Sequence, residues 1–300
     1  MKVVSFFSGA GGLDLGFEKA GLNITWANEF DKDIWETFEK NFPNTTLDRR
    51  SIVDVLSDDI PDCDGIIGGP PCQSWSEAGK LKGIKDKRGQ LFYEFIRILK
   101  DKQPKFFLAE NVSGMLAQRH SEALEYIKKL FIDCGYVLSF KLLNASDYDV
   151  PQVRKRVFFI GYRKDLKKEF KFPPSTGSKL TLKDAIYDIN DSALIAKLKN
   201  HSNHDDCVLH NHEYTHGSYS TIYLSRNRVR MWNEPSFTIQ AGGRHAPIHP
   251  QAPVMKHIEK DKKIFVPGKE HLYRRLSVRE CARIQTFPDD HIFYYKSVLS

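Results

Sequence analysis

The sequence predicts an α/β protein: a mostly parallel sheet covered by helices on both faces, followed by a smaller, mostly irregular or β region. Three observations carry this. Short apolar runs alternate with helical patterns from Val3 to Tyr162, as in strand–helix–strand units. The first run passes straight into a glycine-rich turn, which is how open α/β sheets shape their ligand-binding edge. Between residues 175 and 270 the alternation stops, and Asn, His, Ser and short apolar runs take over.

VVSFF (3–7) reads as the first strand and GLDLGFEKAG (12–21) as a helix stopped by Gly21. NITWANEF (23–30) is the second strand, followed by a helix over 31–41. DGIIGG (64–69) and KFFLAEN (105–111) are further strands. Between them Leu91, Phe92, Phe95, Ile96 and Leu99 keep the i, i+3, i+4 spacing of an amphipathic helix. A helix over 121–133 leads to strands at 137–143 and 156–162. The charged, Pro- and Gly-containing stretch after Lys164 reads as a linker. SVRECARIQTFP (277–288) reads as a last helix, with Ser277 as its N-cap and Pro288 past its end.

A hydrophobic fraction of 41%, with 20 Phe, 12 Tyr and 4 Trp, suffices for a packed core and excludes a disordered chain. No apolar window is long enough to span a membrane. The opening apolar run is too short for a secretory signal, so the expected location is the cytoplasm. Five cysteines (63, 72, 134, 207 and 281) without a C-x-x-C pair do not form a disulfide framework. The net charge of +7 is unevenly divided: residues 1–150 carry −4 and residues 151–300 carry +11. Such asymmetry suits a basic half that meets a polyanion; a solvated basic surface is the alternative.

Four strand ends carry chemistry. Ser8-Gly9-Ala10-Gly11-Gly12 lets backbone N–H groups approach a ligand at a helix N-terminus. Glu29, about 20 residues on, can accept hydrogen bonds from ribose hydroxyls, so a nucleoside-containing ligand is expected. Gly68-Gly69-Pro70-Pro71 sets a rigid backbone ahead of Cys72, which favours an aimed thiol over a buried one. Glu110 closes the next strand, where a carboxylate beside a thiol suggests an acid working with a nucleophile. Arg154 and Arg156 alternate just before a strand and are expected on one face.

FSGAGGLDLGF, GGPPCQSWS, ENV, QVRKR and RRLSVRECARIQTFP occur here in this order over essentially the whole chain. In these motifs the sequence resembles the bacterial C5-cytosine-specific DNA methyltransferases. Residues 225–253 resemble the recognition region of the GGCC-methylating branch of restriction–modification systems. The resemblance implies a Rossmann-like S-adenosylmethionine-dependent methyltransferase sheet with a smaller target-recognition domain. Its implied divisions are a catalytic and cofactor-binding domain over 1–165, recognition over 166–272, and a return helix toward the catalytic domain over 273–300.

The resemblance also implies the roles. Cys72 would add to a cytosine flipped out of a short duplex site, with Glu110, Arg154 and Arg156 completing the catalytic set. Phe7, Gly9, Gly11, Glu29, Phe30, Ser51, Ile52, Pro71 and Leu91 match the S-adenosylmethionine site. Ser51 stands where the family usually has Asp, and Asp149 where it usually has Gly. Arg226, Arg228 and Arg230, alternating along an expected strand, together with Arg244, are expected to contact DNA. The expected partner is double-stranded DNA, with no membrane, and the expected state is a monomer. The family's Gly-Asn-x-x-Pro segment is not present among the 300 residues. The corresponding expectation is a weakened cofactor site, completed by a separate C-terminal fragment. The alternatives are a truncated DNA-binding relic without turnover and an RNA cytosine-5 methyltransferase. His201, His204, Cys207, His210 and His212 crowd one stretch but lack the paired spacing of zinc ligands, so no metal is expected.

Overall fold

The computed structural model describes residues 1–71 and 87–299. They form two compact units, Met1–Leu143 with Lys155–Pro174, and Asn144–Arg154 with Ser175–Ser300. These divisions differ from boundaries at 165 and 272: the chain passes into the second unit once between the last two strands, and the last helix belongs to that second unit.

In the first unit, β1 (Lys2–Phe6), α1 (Gly12–Lys19), β2 (Asn23–Asn28), α2 (Trp35–Asn41), β3 (Thr46–Asp48) and β4 (Gly65–Gly68) follow in order. Next come α3 (Lys87–Lys102), β5 (Phe106–Val112), α4 (Ser121–Asp133), β6 (Tyr136–Asn144) and β7 (Lys155–Arg163). The sheet has seven strands in the order β3-β2-β1-β4-β5-β7-β6. The pairs from β3 through β5 are parallel, and β7 runs antiparallel to β5.

Burial on both faces explains why the central strands are written as apolar runs. On one face Phe6 meets Trp26 and Phe95 edge-on, while Phe107 stacks on Phe131 at 4.5 Å. On the other, Phe17 of α1 stacks on Phe106. Phe107 stands opposite Gly161, where a Cβ would lie 2.2 Å from its ring.

Helix α2 starts at Trp35 rather than 31, because the preceding backbone is held elsewhere. The Asp31 amide donates to Glu29 Oε1 and the Asp33 amide to Asp31 Oδ1, a local turn that competes with helix. The stretch after Lys164 is not simply a linker. Ser139 Oγ donates to the Phe170 carbonyl, and the Phe170 ring meets Tyr162 and Phe172.

The second unit is mostly irregular. It holds α5 (Leu182–Ile186), the short parallel pair β8 (Leu194–Ile195) and β9 (Glu213–Tyr214), the hairpin β10 (Lys256–Glu259) and β11 (Lys262–Ile264), and α6 (Val278–Ile284). Ser277 caps α6 as the sequence predicts: its Oγ accepts from the Glu280 amide, and Glu280 Oε2 accepts from the Ser277 amide. Glu280 is fully buried and takes both Nη groups of Arg274, at 2.7 and 2.6 Å. Arg274 holds the Glu280 carboxyl below its usual range although burial pushes the other way.

Candidate active site

Parallel register brings the chemistry to one sheet edge. Phe6 pairs with Asn28 and Gly68, and Gly68 with Ala109, so the loops after β1, β2, β4 and β5 leave the sheet side by side.

The loop after β1 is bent by a run of left-handed backbone at Phe7 (φ 55°), Gly9 (54°) and Gly11 (80°). At Gly11 a Cβ would sit 2.1 Å from the Phe42 ring, so only glycine fits the turn. At Gly9 a Cβ would meet nothing within 4 Å, leaving the backbone open to an approaching ligand. The Gly9 amide donates to Glu29 Oε2 at 2.8 Å, tying the loops after β1 and β2 together. Phe30, beside Glu29, is 70% exposed, and Leu91 is half-buried against the core. Ile52 is buried, while the Ser51 carbonyl accepts from the Asp54 amide. Open backbone, an oriented carboxylate and an exposed ring fit a nucleoside-bearing group such as S-adenosylmethionine.

Beneath this loop lies a group that sequence reading passed over. Asp14, in the first turn of α1, is fully buried, and neither carboxyl oxygen makes a hydrogen bond of ordinary geometry. Burial pushes its pKa up to about 7, opposed only in part by the Ser5 hydroxyl beside it. An acidic residue in a first helical turn normally reads as a solvated partner of the helix dipole, so nothing in the sequence marks this one.

At the β5 edge the carboxylate and an arginine meet. Arg156 Nε lies 2.7 Å from Glu110 Oε1. The loop after β4 arrives at the same place: a Cβ on Gly69 would lie 3.7 Å from Glu110 Oε2. Asn111 Nδ2 donates to the Pro70 carbonyl at 2.9 Å, fastening that loop to β5. The motif Glu-Asn-Val marked this position, but Asn111 was not singled out from sequence. Pro71 is half-buried; Cys72, the expected nucleophile, lies outside the described residues. Arg154 is placed in the second unit, where Nη1 donates to the Ile239 carbonyl at 3.2 Å.

Arg226, Arg228 and Arg230, expected to contact DNA, do not form the expected strand. Between 226 and 230 only Val229 makes a β-bridge, to Ile248. Side-chain bonding explains why. Arg228 Nε donates to the Tyr223 carbonyl, Nη2 donates to that of Ile222, and the guanidinium lies 4.5 Å from the Tyr223 ring centroid. Arg230 pairs with Glu234 and covers Phe237. Arg226 and Arg244 are exposed. In the histidine-rich stretch, both His212 ring nitrogens face protein oxygens, Ser277 Oγ and the Ile189 carbonyl. Cys207 is buried beside Glu213.

The family described as C-5 cytosine-specific DNA methylase matches residues 1–299. The Type II methyltransferase M.FnuDI of Fusobacterium nucleatum is 60% identical over 301 residues, covering 99% of this chain and 87% of its own length. The Type II methyltransferase M.NgoPII of Neisseria gonorrhoeae is 56% identical over 304 residues, covering 99% of this chain and 88% of its own. A solved structure of an E. coli prophage-encoded protein of DNA modification methyltransferase type superposes with a TM-score of 0.71. It is 27% identical and covers 99% of this chain and 91% of that one.

Proposed function

This chain belongs to the C-5 cytosine-specific DNA methylase family, and we propose that it methylates one cytosine of a short duplex site, GGCC, within a restriction–modification system. The observation that carries the reading is the Glu110–Arg156 pair at the sheet edge where the Gly69–Pro70 loop leads toward Cys72.

Carbon 5 of cytosine is a weak nucleophile. A Cys72 thiolate adding to carbon 6 forms an enamine in which carbon 5 becomes reactive. Glu110 protonates or hydrogen-bonds ring N3 as charge builds there, and Arg156 orients Glu110 and stabilises charge at O2. Loss of the carbon 5 proton after methylation expels Cys72. Bound S-adenosylmethionine supplies the methyl as an electrophilic sulfonium substituent. Gly9, Gly11, Glu29 and Phe30 would hold its nucleoside portion, with Ser51, Ile52, Pro71 and Leu91 around it and Phe7 shaping the loop. A cytosine inside a duplex cannot reach a thiol, so the base must flip out. Basic residues, including the exposed Arg226 and Arg244, hold the phosphate backbone.

The test is transfer of labelled methyl to duplexes with and without GGCC, and to RNA, with mapping of the modified base. A duplex carrying 5-fluorocytosine at the target should trap a covalent adduct, and Cys72→Ala should abolish it. Label on RNA alone, or an adduct surviving in Cys72→Ala, would overturn the reading.

A further inference from the structure

The segment ahead of β7 is fastened to a second stretch of chain within the second unit. The Ser236 amide donates to the Pro151 carbonyl at 2.8 Å, and the Val153 amide to the Ser236 carbonyl at 2.9 Å. The Ile239 amide donates to Gln152 Oε1, Thr238 Oγ1 donates to the Val153 carbonyl at 2.6 Å, and Arg154 Nη1 donates to the Ile239 carbonyl. Gln152 and Ser236 are fully buried. On its other side, the Arg154 amide donates to Asn144 Oδ1, and the Arg154 carbonyl accepts from the Ala145 amide. Residues 151–154 are therefore held along one edge by 236–239, and Arg154 is held on the other as well.

The two stretches lie close in sequence to different parts of the proposed chemistry. Arg156, which pairs with Glu110, follows Val153 by three residues. The exposed Arg244 follows Thr238 by six, across the glycine pair Gly242-Gly243. Three extended residues span only about 10 Å and leave little slack, so a shift at Val153 reaches Arg156 through the backbone.

We infer that Thr238 is a positioning residue for methyl transfer, coupling the recognition stretch to the Arg156–Glu110 pair through its hydrogen bond to the Val153 carbonyl. This rests on the methyltransferase reading proposed above. Thr238→Val keeps the branched shape and removes the O–H donor; Thr238→Ser keeps the donor. A reacting group misplaced by a fraction of an ångström loses rate steeply, so kcat should fall roughly tenfold in Thr238→Val. Three further results are expected: duplex Kd unchanged, recovery of the rate in Thr238→Ser, and weaker discrimination between the proper site and a one-base variant.

The experiment is methyl transfer at saturating cofactor by the full chain, the parent beside both variants, with duplex binding measured by anisotropy. If Thr238→Val does not fold, Thr238→Ala against Thr238→Ser makes the same comparison. An unchanged kcat overturns the inference. So does a loss that Thr238→Ser does not restore, which means packing, or a loss matched by weaker Kd, which means DNA contact. A parent unable to methylate any duplex refutes the proposed function itself; an active parent with an equally active Thr238→Val refutes only the coupling.

Discussion

Arg156 reaches Glu110 across a diagonal of the β5–β7 ladder: its direct partner is Val112, while Glu110 faces Phe158. Alternation along antiparallel strands puts all four on one side of the sheet, and diagonal neighbours are within reach of a long side chain. The carboxylate and the guanidinium are therefore expected to act as one unit.

Glu110→Gln keeps the shape and removes the acid, so turnover should fall by roughly 10²–10⁴-fold. Arg156→Ala should also slow methyl transfer, and the double variant should be much less impaired than the product of the two losses predicts. Single-turnover rates at saturating cofactor check this; losses that simply multiply would mean that the two side chains work separately.

Gly9 and Gly11 should fail in different ways. Gly11→Ala forces a side chain into the Phe42 ring at a left-handed position and should cost about 1–3 kcal/mol in chemical denaturation. In Gly9→Ala the added methyl meets no protein atom, but it occupies the open side of the loop. Its main effect should be a higher KM for S-adenosylmethionine. Equal stability losses in both variants, with cofactor KM unmoved, would count against a cofactor loop.

Asp14 should make stability fall with pH. Its folded-state pKa, pushed up to about 7 by burial, lies above that of the unfolded chain near ~3.9. The folded state thus keeps a proton that the unfolded chain gives up, and Asp14's contribution is full below ~4 and lost as pH rises through about 7. Asp14→Asn should gain stability over the parent progressively across that window and hold the gain above it. Denaturation midpoints of both proteins from pH 5 to 8 decide it, and a pH-independent difference would contradict the assignment.

The arginines divide by what they touch. Arg226→Ala or Arg244→Ala should lower the salt slope of duplex binding by about one unit if the contact is to phosphate, with thermal stability unchanged. Arg228→Ala should cost stability as well, because it leaves the Tyr223 carbonyl without its side-chain donor, whereas the Ile222 carbonyl keeps the Ser225 hydroxyl. A stable Arg228→Ala with weakened DNA binding would show that its internal bonds are dispensable.

The central sheet was legible because strands buried on both faces are written as nearly continuous apolar runs, such as VVSF and GIIG. Three-residue β3 was not, being too short to show a period. Nor was the reversed direction of β7, since alternation has no polarity. Glu110, Arg156 and Glu29 were readable as polar residues at strand ends. Asn111 and Asp14 were not, because their roles depend on what the fold packs against them. The arginines from 226 to 230 misled for a related reason: their spacing suited a strand, while the side chains of Arg228 and Arg230 found carbonyls and a carboxylate nearby.

Gly161 has a consequence at the other end of its strand. Sliding β7 by one residue against β5 would bring Ile160 or Tyr162 level with Phe107 and turn Arg156 to the opposite side of the sheet. The Phe107 ring already fills the space where a Cβ at position 161 would stand, so the strands mesh where a residue without a side chain passes beneath the ring. That alignment is the one that sets Arg156 beside Glu110. A gap five positions from Arg156 thus serves as the notch that indexes the pair, and a bulkier residue there would mistime the strand without touching a reactive atom.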